Sequence, residues 1–103
     1  MSVYKRWKHH ERLAMKILGG ERNTEKGTNV PDGFIPNKEN PWASVENKST
    51  EELPKWLRSA VVQAETNAKP NTLPLVSLME NNGMHLVVLR AEAFREWFGE
   101  FRK

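Results

Sequence analysis

Glycine and proline punctuate this chain and mark where its elements begin and end. Gly19-Gly20, Pro31-Asp32-Gly33, Pro36 and Pro41, Pro54, Pro70 and Asn81-Asn82-Gly83 fall at intervals along the 103 residues. Each break has a local reason. Glycine takes the left-handed conformation that ends a helix, so Gly19-Gly20 stops the first one. Proline at a first helical position gives up an N–H that would have no partner there, so Pro54 marks a helix start. Pro-Asp-Gly reads as a turn tripeptide, proline pre-setting φ and glycine accepting a positive one.

Between the breaks, hydrophobic periodicity assigns the elements. Trp7, Ala14 and Leu18 share one stripe of a helix over 7–18, with Ile17 and Met15 at its edges. Residues 21–28 are polar and read as a loop. A short strand is expected over 29–35, then the 36–41 turn. "WASVENK" alternates, with Trp42, Ser44, Glu46 and Lys48 on one face and Ala43, Val45 and Asn47 on the other. Leu57, Ala60, Val61, Ala64 and Ala68 form the apolar stripe of a second helix ending near Pro70. "LPLVSLM" (73–79) is apolar almost throughout, as for a strand covered on both faces. "HLVVLR" (85–90) is the next strand. A last helix carries Phe94, Trp97, Phe98 and Phe101, which read as core with a dimer interface as a second use. The expected fold is one α/β domain over 1–103, order α-β-β-α-β-β-α, with a mixed sheet flanked by helices.

Charge is distributed unevenly. The first twelve residues hold Lys5, Arg6, Lys8 and Arg12 against Glu11, which accounts for the whole net charge of +3. With His9, His10, Tyr4 and Trp7 beside them, these cations suit a polyanion, because neutralising phosphates releases counterions. A solvated basic end that keeps the protein soluble is the plainer reading. The chain has no cysteine, which excludes disulfides and thiolate zinc sites. No apolar run approaches the ~18 residues of a membrane span, and a cytoplasmic protein is expected.

Taken singly, Asp32 is a turn residue, and Glu46 with Lys48 is a surface ion pair. Together, Pro31-Asp32, a hairpin-length gap and Glu46-Asn47-Lys48 match the pattern of the PD-(D/E)XK nuclease superfamily. The chain resembles its small phage and archaeal Holliday-junction-resolvase-like members. "KILGGER", "VPD", "VENKS", "LPKWLRSAVVQAE" and "LVVLR…FREWFG" carry that resemblance over nearly the whole length. It implies a restriction-endonuclease-like fold and Mg²⁺-dependent hydrolysis of DNA phosphodiesters, with Mn²⁺ as a substitute. Asp32, Glu46 and the Asn47 carbonyl would hold the metal, and Lys48 would assist the attacking water. By the same resemblance, Glu11 supports the metal and Gln63 lies near the reacting phosphate. Glu11 also falls between Leu18 and Met15 on the helix wheel, where a carboxylate needs a partner. One departure from the pattern is Asn47, where the superfamily carries an apolar residue. Either that face is partly wet or Asn47 bonds to a neighbouring loop.

Lys5, Arg6, Lys8, Arg12, Lys55 and Arg58 are the expected DNA-phosphate contacts, which position a duplex without reading its bases. Branched or duplex DNA is the expected partner. A homodimer is expected for two-strand cutting, and the bacterial host cytoplasm is the location for a phage-encoded enzyme. Two other readings use the same residues: a freestanding homing or nicking endonuclease, and a DNA-binding module without catalysis. A protein–protein adaptor built on the aromatic helix is a third.

Overall fold

The computed structural model describes residues 3–25, 27 and 29–99, except for the side chains of residues 3–5 and 7. Its elements are α1 (Val3–Leu18), β1 (Glu21–Arg22), β2 (Gly33–Ile35), β3 (Ala43–Val45), α2 (Lys55–Asn67), β4 (Val76–Met79), β5 (His85–Val88) and α3 (Ala91–Phe98). The described residues form a small α/β protein of three helices and two antiparallel sheets, ordered β1-β2-β3 and β4-β5.

The first sheet is built around two buried side chains, Met15 of α1 and Ile35 of β2. Gly33 lets α1 approach. A Cβ there would lie 2.2 Å from the Met15 sulfur and 3.0 Å from the Glu21 carbonyl oxygen, so any larger residue would have to displace the Met15 side chain. α1 ends as its glycines dictate. Gly19 has φ +78°, and the Gly20 N–H reaches back to the Met15 carbonyl at 2.8 Å. Arg95 of α3 donates to the Lys16 carbonyl at 3.0 Å, which sets a cation against the negative end of α1. Trp42, just before β3, stacks on Phe94 at 5.7 Å between centroids, and Phe94 meets Phe98 at 5.3 Å. β2 ends at a cis Ile35–Pro36 bond.

α2 starts after Pro54, and its stripe of Leu57, Ala60, Val61, Ala64 and Ala68 is half-buried, packing toward β4. Arg90, at the start of α3, donates to Glu65 of α2 at 2.6 Å. This hydrogen bond, with the charge of Glu65, raises the guanidinium above its ordinary value.

Several expectations need correction. Residues 21–28 are not all loop, because Glu21 and Arg22 pair with Phe34 and Gly33. That adds a strand, and the order becomes α-β-β-β-α-β-β-α. No mixed sheet forms among the described residues. All three strand pairings are antiparallel, and the two sheets are separate. Short connections favour this outcome, since parallel pairing needs a crossover of a dozen or more residues. Pro31-Asp32-Gly33 is not a free turn, as Gly33 opens β2 under α1. The segment 73–79 is not covered on both faces. Only 76–79 is strand, and Leu75 and Met79 are exposed because α2 packs on one side only. The radius of gyration, 15.3 Å, exceeds the ~13 Å usual for a chain of ~100 residues, in keeping with a small core in which Met15 and Ile35 are the buried apolar side chains among the described residues. Phe101 lies outside the described residues.

The close approach at Gly33 gives a direct test. Gly33→Val is expected to cost about 1–3 kcal/mol by overpacking against Met15, read as a lower denaturant midpoint with an unchanged slope.

Candidate functional site

The pairing of β2 with β3 sets the geometry. Gly33 lies opposite Val45, so Asp32 and Glu46 are the next residues outward, just beyond the paired ends of two neighbouring strands. Asp32 is fixed at three points. Its N–H donates to the Val45 carbonyl at 2.8 Å, and its carbonyl accepts from the Asn23 N–H at 2.8 Å. Its carboxylate Oδ2 accepts the Asn47 N–H at 2.7 Å. That N–H belongs to the peptide joining Glu46 to Asn47, so the Asp32 carboxylate touches the backbone of the Glu-x-Lys segment.

Glu46 and Lys48 project to solvent on the outer face, and Asn47 is half-buried on the inner one, following the expected alternation. Lys48 Nζ lies 3.7 Å from Glu46 Oε1, with both side chains more than half exposed. Such a pair contributes ~0–1 kcal/mol and leaves the ammonium free to reorient. A shallow cleft of about 330 Å³ beside Glu46 is lined by Asn29, Val30, Pro31, Ser44 and Val45.

Asn23 was hidden in a stretch read as loop. It is buried and fully engaged. Its Nδ2 donates to the Pro31 carbonyl at 2.8 Å and its Oδ1 accepts the Glu25 N–H at 3.0 Å, so it anchors the Pro31-Asp32 corner. An Asn near the start of the polar run 21–28 was the available signal, since Asn side chains bond backbone two residues on.

Glu11 does lie on the inward side of α1, with its side chain about one-fifth exposed, but its partner is Arg22 of β1. Arg22 Nε donates to Glu11 Oε2 at 2.9 Å. Among the described residues no three His, Asp or Glu side chains gather as a metal-binding group, so Glu11 does not join Asp32 and Glu46. Glu11→Ala is accordingly expected to cost about 1–3 kcal/mol by stranding Arg22, with a double Glu11→Ala/Arg22→Ala variant losing less than the sum of the two. Thermal melts of the three variants check this.

Gln63 is exposed on α2, in a cleft it shares with Arg58, Ser59, Val62, Thr66 and Asn67, which includes no residue of the Asp32–Lys48 segment. Arg6 and Arg12 are exposed on α1, and Lys55 and Arg58 on α2. Lys8 is half-buried and engaged within the fold. The Lys5 side chain lies outside the described residues. His9 and His10 rings are 6.1 Å apart and tilted, unlike two ligands of one ion.

The donor set suits a hard cation with few protein ligands. Mg²⁺ binds through one or two carboxylates and keeps several waters, so the half-buried Asp32 and the exposed Glu46 are the residues here that could hold one. No helix among the described residues is long and apolar enough to cross a membrane. No protein-family model, no curated protein and no solved structure matches the chain.

Proposed function

We propose that this protein is a Mg²⁺-dependent DNA endonuclease whose site is the Asp32, Glu46, Lys48 group at the open end of β2 and β3. The observation that carries the reading is the hydrogen bond from the Glu46–Asn47 peptide to the Asp32 carboxylate, which holds two motif segments against each other across paired strands. Asp32 and Glu46 would hold the cation, with the Asn47 carbonyl as a further oxygen donor. Bound there, the ion supplies charge stabilisation on a phosphoryl oxygen and acidifies its water. Lys48, solvent-exposed and only loosely paired, orients the attacking water and offsets phosphate charge. Glu11 is left to its structural pair with Arg22.

DNA would be held by Arg6, Arg12, Lys55 and Arg58, which are exposed cations on two helices. Among the described residues no base-reading element accompanies them, which favours recognition by shape or branching, as in the resolvase-like members the sequence resembles. Four-way junctions, plain duplex, flaps and single strands, each incubated with Mg²⁺ or with chelator, provide the test. Magnesium-dependent cutting, strongest on branched DNA, is the expected result. Salt-sensitive binding with no cutting on any substrate would replace the enzyme by a binding module. The exposed Glu46–Lys48 pair is the observation that favours that second reading, since a surface ion pair needs no chemistry.

A further inference from the structure

The β4–β5 hairpin is a two-stranded sheet, and such a hairpin is marginal in water unless something extends or covers it. α2 packs against β4, and among the described residues no strand pairs with the far edge of β5. The phase of the ladder shows what that edge offers. The Glu80 N–H donates to the Met84 carbonyl at 3.0 Å, in register with the pairs Leu78–Leu86 and Val76–Val88. Hydrogen-bonded pairs alternate with non-bonded ones in an antiparallel ladder, so His85 and Val87 direct their N–H and C=O groups away from β4. Among the described residues no backbone group reaches them from outside.

This edge is four residues long and lacks the side-chain features that discourage strand pairing. His85-Leu86-Val87-Val88 holds no lysine, proline or bulge, and Leu86 and Val87 are 49% and 58% exposed. The His85 ring leans back over β4 to Ser77, with Nε2 2.6 Å from its Oγ. From Met84 to Leu89 there is no formal charge, so nothing here selects a charged peptide. The strand is, however, complementary to itself. Placed antiparallel about a twofold axis at Leu86, two copies set His85 of each opposite Val87 of the other, and all four outward groups on each strand find partners. Leu86 meets Leu86, and the row Leu78–Leu86 continues across the junction with no like charges opposed.

We propose that a second copy of this chain pairs along β5, joining two hairpins into one four-stranded antiparallel sheet. Such an interface is isologous, as a twofold dimer requires. It does not depend on the nuclease reading, and it differs from the aromatic helix as a dimer surface.

Sedimentation across a concentration series, with amide hydrogen exchange on the same samples, tests it. The wild-type chain is expected to reach twice the monomer mass, with the His85 and Val87 amides gaining protection as the dimer forms. The Leu86 amide, already bonded to β4, changes little. Val87→Lys, at an exposed position, is expected to weaken the dimer tenfold or more while its circular dichroism stays that of the folded chain. A wild-type chain that stays monomeric throughout would overturn the proposal. So would a dimer in which the His85 and Val87 amides remain unprotected, a measurement that holds even if the variant does not fold.

Discussion

Asp32→Asn is expected to lower magnesium-dependent cleavage by about 10²–10⁴-fold, the several kcal/mol that a metal ion contributes to transition-state charge stabilisation. Asparagine is the informative substitution because Asp32 has two duties. Its carboxylate is a candidate ligand, and its Oδ2 also accepts the Asn47 N–H at 2.7 Å. The amide oxygen of Asn can keep that bond while removing the negative charge, so the strand ends stay joined. Asp32→Ala removes both, leaves a part-buried N–H without its acceptor, and confuses lost chemistry with lost structure. Cleavage rates and melting temperatures on the same two variants separate the contributions. Cutting by Asp32→Asn at the wild-type rate would remove Asp32 from the site. Lys48→Ala should affect rate alone, since the Lys48 side chain is 82% exposed and contributes little to folding.

Met15→Ala is expected to be strongly destabilising, at about 2–5 kcal/mol. Met15 and Ile35 are the buried apolar side chains of the first sheet, at 3% and 4% exposed. The Met15 sulfur fills the space left by the missing Cβ of Gly33, so truncation empties the contact that seats α1 on β2. Domains of this size are stable by roughly 5–15 kcal/mol, and a loss on that scale takes a large fraction of the total. A denaturant titration monitored by the helical signal measures it. A cost under about 1 kcal/mol would mean that α1 is seated by other contacts, such as the Arg95 bond to its last turn.

Much of the secondary structure was legible because its causes are local. Gly19 and Pro54 act through their own backbone angles, so the end of α1 and the start of α2 follow, whereas α1 begins at Val3, ahead of the expected start at Trp7. The inward position of Glu11 was visible from helical periodicity, as was the outward position of Glu46 and Lys48 from strand alternation. What Glu11 meets was not visible. Arg22 lies eleven residues away in a polar run whose strand character comes only from pairing with β2. The same holds for Asn23, which looks like any loop asparagine until the Pro31-Asp32 corner folds over it. The apolar run 73–79 misled in the opposite direction, since composition reports that a segment is apolar and not how many faces find cover.

By itself, then, the sequence determined where helices stop, which strand residues alternate, and that Asp32, Glu46 and Lys48 fall near a single hairpin. Tertiary structure decided the rest: two separate antiparallel sheets, the seating of α1 on Gly33, and the assignment of Glu11 to Arg22. The physical reason is range. Backbone angles and periodicity act within a few residues, whereas pairing, burial and ionic partnership depend on segments brought together only when the chain closes on itself.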